Sequence, residues 1–191
     1  MREHDSITKV LFPTRLGEYR MSAHKEEGQE ILVLEYGELK EPVLVRMHSK
    51  CLTGDVFGSL RCDCRAQLEQ SLEMIKKNGS GMLIYMDQEG RGIGLVNKVK
   101  AYKLQDEGYD TLEANQKLGF KGDERTYGAA AKIMREMGIT KIKLITNNPK
   151  KMEDLHSHGI EIVERVPIVI EANGYNERYL RTKKTRMGHL L

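Results

Sequence analysis

Residues 43–67 form the stretch around which the rest of the chain is organised, and they read V-L-V-R-M-H-S-K-C-L-T-G-D-V-F-G-S-L-R-C-D-C-R-A-Q. The stretch opens as an apolar strand and contains every cysteine of the protein, Cys51, Cys62 and Cys64. Thiolates are soft ligands, so three of them close together suit zinc better than any hard cation. Structural zinc sites close with four protein ligands, whereas catalytic sites keep three and leave one position to water. The cysteine cluster therefore predicts a metal ion with an open position.

Spacing alone leaves other interpretations of the cysteines open. A structural zinc site would need a distant histidine, for which the chain offers His4, His24, His48, His156, His158 and His189. Spacing favours neither the structural nor the catalytic site. A disulfide fits less well, because it would leave the third thiol without a partner and nothing marks the chain as secreted.

Length and composition set broad limits. With 191 residues, the chain is expected to fold as one domain over residues 1–191 with a proper core. A net charge of +3 gives no strong indication of nucleic-acid binding but is compatible with an anionic substrate. No apolar run approaches membrane-spanning length, and the N-terminus lacks the apolar core of a signal peptide. We therefore expect a cytoplasmic protein that binds neither membranes nor nucleic acids.

The first half of the chain begins with β-type patterns and then changes period. Residues 10–47 alternate as strands with turn chemistry between them, which predicts a strand meander. After Cys64, Leu68, Leu72 and Ile75 recur at helical spacing, and Asn78-Gly79 ends the predicted helix. This places Cys62 and Cys64 at a helix N-terminus, where the dipole favours thiolates.

A glycine-rich segment follows the next predicted strand, residues 82–86. Residues 88–94 read Q-E-G-R-G-I-G, and they lead into a helix with Leu95, Val99 and Tyr102 on one side. A strand, a glycine loop and a helix together can aim backbone amides at a phosphate. The spacing matches neither the dinucleotide fingerprint nor a Walker loop, and a plain tight turn is the commoner meaning of such glycines.

The second half alternates helices and strands. Residues 123–138 predict a helix with Asp123 as N-cap, and a strand follows at residues 142–146. N-N-P-K-K at residues 147–151 then joins that strand to a helix with Met152 and Leu155 inward, and is a second candidate anion site. The last strand is predicted at residues 160–167. These patterns predict an α/β fold, with a mixed sheet in α/β/α layers behind the N-terminal meander.

Six motifs occur together in a fixed order: R-M-H-S-K-C-L-T-G-D-V-F-G-S-L-R-C-D-C, Q-E-G-R-G-I-G-L, Y-D-T-L-E-A-N, D-E-R-T-Y-G, T-N-N-P-K-K and the ending M-G-H-L-L. In this order, from about Val10 to Leu191, the chain resembles GTP cyclohydrolase II. The resemblance implies a hydrolase that opens the imidazole ring of GTP at the start of riboflavin synthesis. The implied products are formate, pyrophosphate and 2,5-diamino-6-(5-phosphoribosylamino)pyrimidin-4(3H)-one.

The resemblance also implies roles for particular residues. It makes Cys51, Cys62 and Cys64 the ligands of a catalytic zinc with water in the open position, and it places Tyr102 near the reacting ring. Asp123 and Arg125 match the family's proton acceptor and nucleophile. An arginine stays protonated, so its guanidinium is a poor nucleophile but a good clamp for a negative transition state. Without the family, Tyr102 would be an aromatic residue on a buried helix face and Asp123 a helix cap.

Nucleotide contacts carry over from the resemblance to several loops. They fall on Arg46, Met47, His48, Ser49, Lys50, Gln67, Glu89, Gly90, Arg91, Thr111, Thr146 and Lys151. Arginines and lysines suit a triphosphate, and a carboxylate such as Glu89 can accept hydrogen bonds from guanine. Magnesium is implied with the triphosphate, held through phosphate oxygens and water. The resemblance also implies a homodimer.

Three positions depart from the family's pattern. Lys50 stands where an acidic residue is usual, Asp87 where a basic one is usual, and Arg65 in place of a glycine. One hypothesis is a reversed Lys50–Asp87 ion pair that preserves local charge, and the alternative is two unrelated surface changes. The departures keep two other functions open, a paralogue that stops at a formamidopyrimidine nucleotide and a zinc-stabilised module that binds nucleotides or RNA without turnover. The basic C-terminal segment mildly favours the last of these, although a solvated helix face explains it equally well.

Overall fold

A computed structural model describes residues 8–190, which are built around one seven-stranded mixed sheet. The order across the sheet is β1-β2-β3-β5-β4-β6-β7. Strands β1, β2, β3 and β5 pair antiparallel, and β5, β4, β6 and β7 pair parallel. The strands are β1 (Val10–Thr14), β2 (Gly17–Glu26), β3 (Gln29–Tyr36), β4 (Val43–Ser49), β5 (Gly81–Met86), β6 (Lys141–Ile145) and β7 (Glu161–Val166).

Helices cover both faces of the sheet. They are α1 (Cys64–Asn78), α2 (Gly94–Asp106), α3 (Thr111–Lys117), α4 (Gly128–Glu136), α5 (Pro149–Ser157) and α6 (Glu177–Arg186). Alternate residues of the strands point to opposite faces. One apolar cluster joins Val45, Met47 and Ile84 to α4 and α5, and a second joins Leu44 and Leu83 to α1. The predicted α/β/α layers are therefore confirmed.

The predicted meander is correct for three strands and wrong for the fourth. β4 does not pair with β3, because β5 lies between them. Residues 43–48 are buried on both faces of the sheet. Such continuous burial is typical of a central parallel strand rather than of a meander strand with one wet face.

Two predicted helices differ from the structure. The side of α2 that carries Leu95 and Val99 faces solvent, whereas Lys98 and Ala101 are buried. The helix predicted to start at Asp123 starts at Gly128, because Asp123 accepts hydrogen bonds from Arg125 and caps no helix. The helix after Cys64 runs to Asn78 as predicted.

Helix α3 begins with a capping box. Its N-cap Asp110 accepts from Leu112 and Glu113, and Glu113 accepts in return from the Asp110 amide. Within residues 8–190 no helix combines the length and the apolarity needed to cross a bilayer. His4 and Leu191, named above, lie outside the described residues.

The parallel strands bring the predicted loops together. β4, β5 and β6 all end at one edge of the sheet, at Ser49, Met86 and Ile145. Ligands of open parallel sheets bind beyond this edge. The fold therefore places the cysteine, glycine and asparagine motifs around one site.

Candidate active site

Three loops surround a cleft at this edge: the cysteine loop (residues 50–63), the glycine loop (residues 87–93) and the asparagine loop (residues 146–148). The cleft has about 1160 Å³ of empty space, part of it open to solvent. The predicted site residues that line it are Arg46, His48, Ser49, Lys50, Cys51, Cys62, Cys64, Gln67, Glu89, Gly90, Arg91, Tyr102, Thr111, Arg125, Thr146 and Lys151. The two loops that were predicted separately as anion sites thus line one cleft.

Two predicted site residues, Met47 and Asp123, do not line the cleft themselves but contact residues that do. Met47 is fully buried, and its carbonyl accepts a 2.9 Å hydrogen bond from Lys151 Nζ. Asp123 supports Arg125 from behind. Both therefore act on the cleft through a neighbour.

The three thiols form a compact cluster. The sulfurs of Cys51, Cys62 and Cys64 all lie within 4.8 Å of one another, and Cys51 Sγ and Cys62 Sγ are 3.8 Å apart. Gly54 leaves the space they need, since a Cβ there would lie 2.8 Å from Cys62 Sγ and 3.1 Å from Cys51 Sγ. The donor set and the space fit a thiophilic divalent cation such as zinc.

The charges around the thiols also favour a cation. Hydrogen bonds from Cys62 and Cys64 lower the pKa of Cys51, whereas the hydrogen bond to Cys51 raises the pKa of Cys64 well above its ordinary value. Ionisation of Cys51 is thus favoured at the expense of Cys64. A bound divalent cation would allow all three to ionise.

Asp55 shapes the cysteine loop. Leu52–Val56 form a wide helical turn, and the Asp55 carboxylate inside it accepts a 2.9 Å hydrogen bond from the Cys51 amide. Tyr85 donates a 2.8 Å hydrogen bond to the same carboxylate, and His48 Nε2 lies 3.1 Å from it. The carboxylate thereby fixes the position of the first thiol.

The two ring nitrogens of His48 differ, since Nε2 is hydrogen-bonded to Asp55 and Nδ1 faces no described protein partner. The ring stacks on Tyr85 with 5.4 Å between centroids, and Nδ1 is buried with no protein partner among the described residues. Burial lowers the pKa of His48 despite the Asp55 hydrogen bond, which keeps the ring neutral. A neutral ring with an unpartnered buried nitrogen is suited to a hydrogen bond with a ligand.

Glu89 joins the glycine loop to the cysteine loop. Its carboxylate accepts from the Leu52 amide at 2.6 Å, from the Gly90 amide at 2.9 Å and from Lys98 Nζ at 2.7 Å. Lys98 Nζ in turn donates to Cys51 Sγ at 3.0 Å. The Glu89 carboxylate therefore already accepts three hydrogen bonds, one of them from the cysteine loop.

The backbone of the glycine loop is unusual. Gly90 and Arg91 both have left-handed dihedrals, with φ values of 63° and 64°. Arginine seldom adopts this conformation, and residues held there concentrate at functional sites. Successive amides in such a loop turn toward the same side and can form an anion-binding concavity.

Arg46 and Lys151 are two basic side chains at the base of the cleft. Both are buried, and neither forms an ion pair with a carboxylate that the structure describes. Burial lowers the pKa of Arg46 to about 10 and, with Arg46 and Arg125 nearby, lowers the pKa of Lys151 well below its ordinary value. Buried charge is unfavourable without a counter-ion, so this region favours an anionic ligand.

Arg125 and Asp123 form a two-pronged ion pair. Arg125 Nε and Nη2 lie 2.8 and 2.5 Å from the two carboxylate oxygens of Asp123. Burial alone would lower the pKa of Arg125, but Tyr127 and Asp123 outweigh it and raise the value. Burial would raise the pKa of Asp123, but Arg125 holds it below its ordinary value. Both groups are therefore charged at neutral pH.

Tyr102 lies beside the thiols. Its hydroxyl is 3.5 Å from Thr53 Oγ1, which is itself 3.7 Å from Cys51 Sγ. Its ring lies under the Arg61 guanidinium at 5.0 Å. Burial raises the pKa of Tyr102, so the phenol keeps its proton at neutral pH.

Threonines and amides complete the cleft. Arg46 donates to Gln67 Oε1 at 2.6 Å, and Ser49 Oγ donates to Gln88 Oε1 at 3.1 Å. Thr146 Oγ1 accepts from the Asn148 amide at 3.1 Å, and Thr111 is the first residue of α3. These contacts fix the loops relative to the sheet.

The three departures from the family's pattern have distinct positions. Lys50 Nζ lies 3.0 Å from Asp87 Oδ1, with both side chains partly exposed at the rim, which confirms the predicted ion pair. Arg65 pairs with Glu69 at 3.1 Å along the surface of α1.

Sequence reasoning missed four residues of the site, Asp55, Asp63, Lys98 and Lys183, and considered His189 only as a possible zinc ligand. The carboxylates of Asp55 and Asp63 lie within the cysteine loop, and their position among the cysteines was an available signal. Lys98 offered none, because a lysine in a helix ordinarily faces solvent.

Comparison with known proteins identifies a family. The model of a family described as GTP cyclohydrolase II matches residues 5–167. The chain is similar to GTP cyclohydrolase-2 of Campylobacter hominis, with 56% identity over 189 residues that cover 99% of this chain and 95% of that protein. It is also similar to GTP cyclohydrolase-2 of Buchnera aphidicola subsp. Schizaphis graminum, with 52% identity covering 97% of this chain and 96% of that protein.

Longer relatives match as well. Riboflavin biosynthesis protein RibBA of Aquifex aeolicus is 54% identical over 191 residues, which cover 97% of this chain but 47% of that protein. The chain therefore spans about half the length of this relative.

Proposed function

Because the chain belongs to the GTP cyclohydrolase II family, we propose that it opens the imidazole ring of GTP at the start of riboflavin synthesis. The proposed products are formate, pyrophosphate and 2,5-diamino-6-(5-phosphoribosylamino)pyrimidin-4(3H)-one. We place the reaction in the cytoplasm.

One observation carries the proposal. A cluster of three thiols and a group of basic side chains without a carboxylate partner among residues 8–190 line the same cleft, where Arg46 and Lys151 are buried and Arg91 is half-buried. The cations suit a triphosphate with its magnesium, and the thiols suit a metal at the other end of the same ligand. GTP has a polyanionic triphosphate at one end and a purine ring at the other.

Cys51, Cys62 and Cys64 would hold the zinc ion, in the space that Gly54 leaves open. When bound, zinc supplies Lewis acidity that makes water a nucleophile near neutral pH. Lys98 donates to Cys51 Sγ and offsets part of the thiolate charge. Asp55 and Glu89 hold the loop that carries the thiols.

Tyr102 would serve the ring end of the substrate. Its phenol is protonated and lies next to Thr53 and Cys51, so it can donate a hydrogen bond to a ring nitrogen or orient water. This position supports a proton-handling role and not only a packing role.

Arg125 would serve the phosphate end as an electrostatic clamp. Its raised pKa and its two-pronged bond to Asp123 keep the guanidinium charged and oriented toward the cleft. A charged guanidinium stabilises a negative transition state but does not attack phosphorus. Asp123 then orients Arg125, and its lowered pKa makes it a weak base.

The experiment that tests the function is product analysis. The zinc-loaded protein is incubated with GTP and magnesium, and products are identified by mass together with assays for formate and pyrophosphate. We expect all three products from the unmodified chain and no formate from a folded Cys62→Ser variant. A formamidopyrimidine nucleotide without formate would indicate the shortened reaction, and binding without any product would indicate a nucleotide-binding module.

Two variants test separately the residues assigned to the ring end and to the phosphate end of the substrate. Tyr102→Phe should still release pyrophosphate while formate release slows, and Arg125→Ala should lose pyrophosphate release. Equal loss of both products in both variants would contradict the assigned roles.

We also propose a homodimer. Six large apolar side chains are exposed on two neighbouring elements, Val56, Phe57 and Leu60 in the cysteine loop and Leu95, Val96 and Val99 on α2. Thr53 and Tyr102 link these elements. Exposed apolar groups in such number are typical of an interaction surface, and a second copy of the chain is the partner that the family suggests.

A further inference from the structure

The end of the described chain folds back over the cleft. Residues 177–190, comprising α6 and the four residues after it, are called here the C-terminal strap. The His189 amide donates to the Lys183 carbonyl at 3.1 Å, and the Leu190 amide donates to the Asn147 carbonyl at 2.9 Å. The strap is thereby tied to the asparagine loop. The motif M-G-H-L-L ends this segment, and neither the chemistry nor the comparisons above give it a role.

A buried ion pair ties the strap to the cysteine loop. Lys183 Nζ lies 2.8 Å from Asp63 Oδ1, and both side chains are at least nine-tenths buried. Asp63 stands between Cys62 and Cys64 and also accepts a 2.6 Å hydrogen bond from Gln67. Burying such a pair is unfavourable unless its geometry and hydrogen bonds are complete, as they are here. The interpretation of this basic segment as a solvated helix face is therefore wrong for Lys183.

A third set of contacts ties the strap to the glycine loop. Arg91 Nη1 lies 2.7 Å from Met187 Sδ, and its guanidinium lies 5.7 Å from the centroid of the Tyr179 ring. Arg91 forms no ion pair with any carboxylate in residues 8–190. The strap thus orients a cation that has no counter-ion of its own.

His189 extends from the strap into this positive region. It lines the cleft and is half-buried. The charged groups that act on its ring are Lys183, Arg91, Arg125 and Asp123, and the Asp123 carboxylate is already bound by Arg125. Burial and the three cations lower the pKa of His189 to about 3, so the ring is neutral and can donate a hydrogen bond. Arg125 and Lys183 are paired with Asp123 and Asp63, so Arg91 is the cation of this group without a carboxylate partner in residues 8–190. Arg91 and a neutral donor beside it suit an anionic ligand such as phosphate.

We propose that the C-terminal strap is the fourth wall of the nucleotide site and that His189, together with Arg91, binds the phosphate chain of the bound nucleotide. This inference rests on the proposed function, from which GTP is taken as the ligand. Because the strap is bonded to all three loops of the cleft, docking of the strap and organisation of the phosphate site are one event.

A packing role for the strap makes a different prediction. If His189 only fills space, its replacement lowers thermal stability and weakens every ligand alike. If His189 binds phosphate, its replacement weakens ligands that carry phosphate and leaves a bare nucleoside unaffected. Two probes therefore separate the roles, inorganic triphosphate and guanosine.

The test compares His189→Ala with the matched control His156→Ala in the full zinc-loaded chain, since His156 is exposed on α5. Binding of each probe is measured by calorimetry. We expect His189→Ala to weaken inorganic triphosphate about tenfold, the effect of losing one hydrogen bond to a charged group, and to leave guanosine unchanged. The control should match the unmodified protein for both probes.

A second variant tests the strap itself. Lys183→Met removes the bond to Asp63, so triphosphate binding should weaken and trypsin should cleave at the exposed Lys184 and Arg186. Unchanged triphosphate binding in both variants would overturn the proposal, as would equal weakening of both probes with a lower melting temperature. An unmodified protein that binds triphosphate but releases no formate would refute the proposed function and leave the strap proposal standing.

Discussion

Lys98 offsets the charge of the three thiols. Three thiolates around a divalent cation leave one net negative charge, which reduces the Lewis acidity that the cation can supply. Lys98 Nζ lies 3.0 Å from Cys51 Sγ and 2.7 Å from Glu89 Oε1, within the wall of the cleft. Because it donates to a ligand sulfur, it withdraws electron density from the metal site.

Replacing Lys98 with Met should make the thiolates more electron-rich. In the cobalt-substituted protein, we expect the thiolate-to-metal charge-transfer band to move to lower energy and formate release to fall. Lys100→Met is the control, since Lys100 is exposed on the same helix. A metal affinity lower by about 10- to 100-fold with no shift of the band would instead mean that Lys98 only orients the ligand.

Gly54 leaves no room for a side chain beside the thiols. A Cβ at this position would lie 2.8 Å from Cys62 Sγ and 3.0 Å from Cys64 Cβ, so the thiols would have to move apart. We expect Gly54→Ala to lose stoichiometric zinc binding in a chelator competition while its circular dichroism spectrum stays native. Gly174→Ala is the control, because nothing lies within 4 Å of a Cβ there. Full zinc binding by Gly54→Ala would show that the thiol cluster tolerates expansion.

At the scale of elements, Lys50 and Asp87 connect the ends of β4 and β5 at the rim of the cleft. Their side chains are partly exposed, so the pair contributes only about 0–1 kcal/mol and stability will barely report on it. A lone, unpaired charge beside a triphosphate changes the affinity for GTP more than it changes stability. We expect Lys50→Glu and Asp87→Arg each to weaken GTP binding and the double swap to recover much of it. Strictly additive losses in the double variant would show that the two residues act independently.

The type of most elements, helix or strand, could be predicted from the sequence, but which strands pair with each other could not. The hydrophobic patterns that predict α1, β5 and β6 lie within each segment itself, and the structure has these elements where they were predicted. The position of β4 depends on pairing with β5 and β6, which are distant in the chain. Asp123 has the chemistry of a helix cap, but the nearby guanidinium of Arg125 competes successfully for its carboxylate.

The site was predictable to the extent that its residues occur in motifs. The cysteines and most of the proposed nucleotide contacts line one cleft. The position of Lys98 in the site was not predictable, and the motif that contains His189 did not indicate its contact with the cleft, because each residue joins the site only through contacts with loops far away in sequence. The inward side of α2 meets polar groups of the cleft, so its apolar residues face outward and its hydrophobic pattern misleads.

At the scale of the whole molecule, the outward apolar residues of α2 and the cysteine loop bear on assembly. Phe57 is 76% exposed and Val96 is 69% exposed, which is unfavourable in water unless a partner covers them. We expect the protein to sediment as a dimer and Phe57→Asp to shift it toward monomer. Val169→Asp is a control, since Val169 is 60% exposed but lies in the segment after β7. A dimer unaffected by Phe57→Asp would place the interface elsewhere.

The docking of the C-terminal strap has a practical consequence for handling the protein. The amide of Leu190 is bonded to Asn147 in the wall of the cleft, so any purification handle appended after this point would begin beside the active site. A polyhistidine handle there would bring a row of imidazoles close to three thiols, where they could take up zinc and inflate a measured metal content. At the other end, β1 is an edge strand, at the opposite side of the sheet from β7. A handle on that side, or its removal by protease before metal analysis, keeps the zinc count attributable to the cysteines.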